Sequence, residues 1–368
     1  MTDVEAPAQS PAASDGSRMS PATDPRIDRR LRAVMIQFGL GDLAPNPETT
    51  RTHGEQELMA SVRASHEGFG GLYEALPNDL PGDVEVPFVV QRISATDDHQ
   101  IVLRIYRPVG SPGSLPAVMY IHGGGMVILD AYAKVHHRWA QDIAAQGAVV
   151  ISVEFRNAYT VEGLNPFPAG LDDCVAAVRW VHENKSELGI TGLVLQGESG
   201  GANLSLATAI RAKREGLLDA IAGVYATVPY ISGGYGTWSD ERRESELPSL
   251  LENNGFFINV AALDLLVATY DPTGEHAEDP LCWPYFATIE DLAGLPPHVI
   301  VVNELYPLRD EGLAFYRKLL EAGVSVTGRI NLGIVHGADM IFRQALPDIY
   351  FATVADIKRF ADEVTSPR

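Results

Sequence analysis

The spacing of apolar positions changes several times along the chain, and each change marks an element. Ile27, Leu31, Val34, Met35 and Phe38 recur at helical spacing, which predicts a helix from Ile27 to about Leu40. A second helical stretch runs from Gln56 to Tyr73, and Pro77, Pro81 and Gly82 end the helical region. From Val84 the period becomes two. Val86 to Ile93 and Ile101 to Tyr106 alternate around Thr96, Asp97, Asp98 and His99, which predicts an antiparallel pair with a turn. Ala117–Ile121 is a short, fully apolar strand, and mainly apolar strands then alternate with amphipathic helices. Strands are predicted at Ala117–Ile121, Ala148–Val153, Gly192–Leu195, Ala220–Val228, His298–Val302 and Val324–Ile330. Helices are predicted at Lys134–Gln146, Ala169–Glu187, Asn203–Arg214, Leu308–Ala322 and Pro347–Val364.

That alternation predicts an α/β fold with a mostly parallel sheet and helices on both faces, because a strand apolar throughout must be covered twice. The stretch 231–284 breaks the alternation with an apolar helix, Phe256 to Tyr270, and many aromatics; it reads as an insertion over the sheet. Residues 1–25 are rich in Ala, Ser, Pro and Asp and lack a basic stretch followed by an apolar one. They read as a disordered tail and not a signal peptide. The expected organisation is therefore a tail (1–25), an N-terminal helical segment (26–82) and a core (83–368) carrying the insertion.

Composition narrows the function classes. The 368 residues include 28 Lys and Arg against 48 Asp and Glu, a net charge of -20 that repels phosphate backbones and disfavours nucleic acid as a partner. No apolar run reaches the roughly 18 residues of a membrane span. Cys174 and Cys282 are too few for a disulfide framework or a cysteine-rich zinc site, and fit a reducing, cytoplasmic setting. His136 and His137 have no acidic or cysteine partner at ligand spacing, so no metal is expected there.

Three motifs carry chemistry. Gly197-Glu198-Ser199-Gly200-Gly201 fits G-x-S-x-G between a predicted strand and helix, where a sharp turn would present the Ser199 hydroxyl above the sheet. His122-Gly123-Gly124-Gly125 directly follows a strand, and bare glycine backbone there could donate N–H groups to an oxyanion. His122 precedes the donor glycines and reads as an organiser of that loop. His336, in Gly333-Ile334-Val335-His336-Gly337-Ala338-Asp339, lies between the last predicted strand and the last helix, a loop position suited to a general base.

With these motifs the chain resembles the hormone-sensitive-lipase-like family of α/β-hydrolases over about Val84 to Val364. Glu154-Phe155-Arg156, the run Pro166 to Asp173, and Trp180 add to the likeness, and the Glu198-Ser199-Gly200-Gly201 form is most similar to the brefeldin A esterase group. The resemblance implies an α/β-hydrolase fold with about eight strands and a helical cap joining residues 26–82 to the insertion. It implies a serine carboxylesterase acting through an acyl-enzyme on esters of short to medium acyl length. Ser199 would be the nucleophile and His336 the base. Gly124, Gly125 and Gly200 would be the oxyanion donors, with Gly123 shaping the loop. No cofactor is implied. The partner is a small-molecule ester, and a homodimer is compatible with the sequence. Tyr230, Trp238, Phe256, Phe257 and Phe286 are candidates to line an apolar pocket.

One position departs from the family pattern. Tyr306, in Tyr306-Pro307-Leu308-Arg309-Asp310-Glu311-Gly312, stands where the family carries its triad aspartate. A phenol is neutral at pH 7 and cannot stabilise an imidazolium by charge. Glu304, two residues upstream, is the candidate substitute acid; Asp310 and Asp339 read as helix-starting residues. The departure implies a weakened esterase, or alternatively a hydrolase-fold protein that binds a small molecule without turnover.

Overall fold

The computed structural model describes residues 18–366 apart from 96, 98 and 112. Two of the four residues of the predicted 96–99 turn therefore lie outside the described residues, as does most of the predicted tail. From Arg18 onward the chain is not a tail. The Arg18 guanidinium donates to Leu251 O at 2.9 Å and Asn254 O at 2.6 Å, and Asp24 is buried. Composition missed this because polar contacts, which leave no apolar pattern in the sequence, help to hold the segment.

Eight strands form one sheet: β1 (Phe88–Ser94), β2 (Gln100–Tyr106), β3 (Leu115–Ile121), β4 (Val149–Glu154), β5 (Ile190–Glu198), β6 (Gly223–Thr227), β7 (His298–Asn303) and β8 (Val326–Asn331). Their order is β1-β2-β4-β3-β5-β6-β7-β8. β1–β2 and β2–β4 pair antiparallel and the remaining pairs are parallel. Thr160 and Gly163 belong to a separate two-residue hairpin that the apolar pattern does not reveal.

The helices longer than two turns are α1 (Arg29–Gln37), α2 (Glu55–Ala75), α3 (Lys134–Ala145), α4 (Ala169–Glu183), α5 (Gly200–Arg214), α6 (Val260–Tyr270), α7 (Arg309–Glu321) and α8 (Pro347–Thr365). Every residue of β6 and β7 is buried, as expected of strands covered on both faces. The covering layers pair α3 with α8 and α4 with α5. α6 starts four residues later than the apolar run suggests, because the Asn259 side chain caps it by accepting from Ala261 and Ala262 N–H. The N-terminal segment meets the insertion between β6 and β7. α2 packs on α6, Ala44 N–H donates to Gly255 O at 2.8 Å, and Arg51 Nε meets Asp264 Oδ2 at 2.8 Å. Among the described residues no helix is long and apolar enough to cross a membrane.

Register brings the motifs together. Ile121 at the end of β3 lies beside Gly197 of β5, and Glu198 lies beside Thr227 of β6. Asn303 and Asn331 close β7 and β8 side by side. All the candidate loops therefore leave the same edge of the sheet, at the carboxyl ends of its parallel strands.

Candidate active site

Ser199 occupies the turn between β5 and α5 with φ 55° and ψ −118°. A non-glycine residue held there costs on the order of 1–3 kcal/mol. Its neighbours must be small. A Cβ on Gly197 would run into the Gly201 backbone, and one on Gly201 into Ile121 O. The Ser199 N–H is tied to Thr227 O at 3.0 Å, so the strained residue is anchored to β6.

The loop after β3 presses on that turn. A Cβ on Gly200 would stand 2.5 Å from Met126 N and 2.7 Å from Gly125 Cα. Gly124 and Gly125 have φ of 96° and 63°, which a larger residue adopts only with strain. The N–H groups of Gly124, Gly125 and Gly200 donate to no acceptor among the described residues. Gly123 differs: its N–H donates to Glu198 Oε1 at 2.5 Å, so it is not a free donor and its place is in shaping the loop. His122 is buried under this loop, with Nδ1 2.7 Å from Gly123 O and its ring stacked on Phe155 at 4.4 Å.

His336 and Ser199 line one cavity, and both are largely buried, at 7% and 9% exposed. No hydrogen bond joins them at rest. The histidine loop is pinned to the end of β7 by Asn303 Nδ2 to Val335 O at 2.8 Å and to the bend after it by Leu305 N–H to Ile334 O at 3.0 Å. Behind the ring, Nδ1 is buried without a partner. Tyr306 lies there instead of a carboxylate, its ring centroid 5.2 Å from that of His336 and its own hydroxyl buried and unpartnered. Burial drives the His336 pKa down to about 3, and no carboxylate opposes it. Burial likewise raises the Tyr306 phenol well above its usual value, reinforced by Glu311, Asp310 and Asp339.

Glu304 does not take the acid's place. Its Oε2 accepts from Gly333 N–H at 2.8 Å, so it braces the His336 loop and leaves Nδ1 untouched. The two-residue offset that suggests a shared side holds only for an extended strand, and β7 has already ended at Asn303. Asp339 accepts from Asn303 Nδ2 at 3.0 Å, and Asp310 Oδ2 accepts from Ser249 N–H at 2.7 Å. Neither carboxylate bonds to His336.

The cavity holds about 200 Å³ and is walled mainly by apolar groups. Of the aromatics expected to line it only Phe257 does; Tyr230 stacks on Tyr235, and Trp238 packs against Tyr285 and Phe286. The wall comes instead from Ser65, Phe69 and Tyr73 of α2, Leu263 and Leu266 of α6, and Met340 and Ile341 beyond the histidine. Residues 65, 69 and 73 stand at i, i+4 and i+8, so a stripe along α2 was visible in the sequence, but not what it faces. Glu198 was the other omission. It reads locally as a motif variant, yet its carboxyl lies between the nucleophile turn and the glycine loop.

Comparison with known proteins gives a consistent result. Residues 118–340 match the family described as alpha/beta hydrolase fold. Brefeldin A esterase, described as a bacterial homologue of human hormone sensitive lipase, is 52% identical, with a TM-score of 0.92 over 94% of this chain and 96% of that one. Carboxylesterase NlhH of Mycobacterium tuberculosis is 34% identical over 246 residues, which is 64% of this chain and 70% of that protein. An arylesterase of Saccharolobus solfataricus is 30% identical over 274 residues, covering 72% and 80%.

Proposed function

The chain belongs to the alpha/beta hydrolase family, and on that footing we propose that it is a serine carboxylesterase of reduced turnover, acting on esters of short to medium acyl length. The observation that carries this reading is that Ser199 and His336 share one cavity with Gly124 and Gly125, whose N–H groups, like that of Gly200 at the start of α5, donate to no acceptor among the described residues. In the proposed reaction His336 Nε2 takes the Ser199 proton as Oγ attacks the ester carbonyl. The negative charge moves to the carbonyl oxygen, where backbone N–H groups stabilise it. Collapse expels the alcohol, which takes its proton from His336, and leaves an acyl-Ser199. Water, deprotonated by His336, then releases the acid.

Tyr306 is the reason for reduced turnover. A base serving Ser199 must carry its proton on Nδ1, and nothing accepts that proton here. The same observation favours a second reading, a small-molecule binding protein that retains the pocket without turnover. Fluorophosphonate labelling separates the two. An esterase is labelled one-to-one at Ser199, hydrolyses p-nitrophenyl acetate, and loses both properties in a folded Ser199→Ala variant. Tight ligand binding with no labelling and no turnover would sink the esterase reading.

A further inference from the structure

Glu198 is 5% exposed and lies directly before the nucleophile. Its Oε1 accepts from Gly123 N–H at 2.5 Å and from the Tyr120 hydroxyl at 3.2 Å, so both lone pairs of that oxygen are used. Its Oε2 is buried with no partner at all. The nearest basic group, His136 Nε2, is 3.5 Å from Oε1 and cannot supply a proton. His136 Nδ1 lies 2.6 Å from Asp130 O, a carbonyl that only accepts, so Nδ1 carries a proton; burial lowers the ring's pKa to about 4, so it is neutral and Nε2 presents a lone pair. The other ionisable groups around the carboxyl are Tyr73 on α2, Tyr120 on β3, and Asp339 and His336 beyond β8. None of them is a cation at neutral pH. An ionised Glu198 would thus carry a buried charge with one oxygen unpaired and a lone pair facing the other.

We propose that Glu198 is a positioning residue that works as an uncharged acid, with Oε1 as the carbonyl that anchors Gly123 N–H and Oε2 as the hydroxyl. The anchor sets the glycine loop against the Ser199 turn. The absence of charge keeps a like charge away from the oxyanion as it grows. Burial agrees with this, raising the Glu198 carboxyl to about 8 and lowering His136 to about 4. Ionisation at higher pH then places a negative charge behind the oxyanion loop and lowers the rate. The proposal rests on the esterase reading, and the test keeps the two apart.

Glutamine reproduces the neutral acid at this position: its carbonyl accepts from Gly123 and Tyr120, and it cannot ionise. The full-length chain, Glu198→Ala and Glu198→Gln are compared, each alone and with Tyr306→Asp. Hydrolysis of p-nitrophenyl acetate is followed across the pH at which Glu198 titrates. Glu198→Ala should lose about 100-fold in kcat, as for a misplaced oxyanion donor. Glu198→Gln should restore most of that loss and hold its kcat/KM above about pH 8, where the parent's falls. A glutamine variant as slow as alanine, or one whose rate falls at the same pH as the parent's, would overturn the proposal. Thermal unfolding gives a second arm that needs no turnover. Between about pH 4.5 and 8 the unfolded glutamate ionises while the folded acid stays neutral, so across that window the parent's melting temperature should fall more steeply with rising pH than that of Glu198→Gln. Equal slopes would refute the neutral acid. Absence of Ser199 labelling in every variant would instead defeat the esterase reading, and the thermal arm would still decide the state of Glu198.

Discussion

Replacing Tyr306 by aspartate tests the reasoning about this site most directly. His336 must become an imidazolium while Ser199 attacks, and burial holds its pKa at about 3 instead of the reference 6.5. At about 1.36 kcal/mol per pKa unit, that penalty is on the order of 5 kcal/mol. A carboxylate on Nδ1 that offset most of it would raise kcat by about a thousand- to ten-thousand-fold. The same substitution removes a fully buried ring, and losing an aromatic side chain from a packed core costs roughly 3–5 kcal/mol. The variant should therefore be faster and less stable, a pairing that a general repair of the fold would not produce. Tyr306→Asn leaves a similar void and offers a neutral acceptor, so it should recover only a small part of the rate. Glu304→Ala should cost a few-fold through a loosened Gly333, far less than loss of a triad acid. The assay is p-nitrophenyl acetate turnover at a temperature where circular dichroism shows every variant folded. Equal rates for the aspartate and asparagine variants would refute the argument that charge is what the site lacks. A collapse of activity in Glu304→Ala would refute the placement of Glu304.

Gly124→Val should reduce kcat by about 100-fold or more, because a Cβ there meets Ile128 O and displaces the donor loop; an unchanged rate in a folded variant would remove this loop from the site. In α2, Gly68, Gly70 and Gly71 lie inside a 21-residue helix where a Cβ would meet nothing within 4 Å. Alanine at each should therefore stabilise the protein by up to about 1 kcal/mol, read from the urea midpoint. His336 makes stability depend on acid: the unfolded histidine takes up a proton below about 6.5, while the folded one stays neutral down to about 3. Its contribution is thus lost as pH falls through that window, and His336→Gln should show a shallower decline of the urea midpoint there.

The sequence by itself determined the parts of this protein that depend on local stereochemistry and period. The apolar strands between β3 and β8 and the helices between them were legible because a doubly covered strand admits few polar residues. The nucleophile turn was legible because only glycines tolerate the approach of Gly201 to Ile121 and of Gly200 to Gly125. The departure at Tyr306 was also visible, since the residues around it keep the family pattern. Tertiary structure decided everything that depends on which groups meet across the fold. Glu304 turns to Gly333 because the chain bends after Asn303, a change of direction that spacing does not record. The cavity wall comes from α2 and α6, far apart in sequence, and neither apolar stripe states what it will face. Glu198 acquires its partners from β3 and from the loop that follows it, 78 and 75 residues away in the chain. A carboxyl's charge is set by the groups that surround it, and those are fixed only when the strands come together.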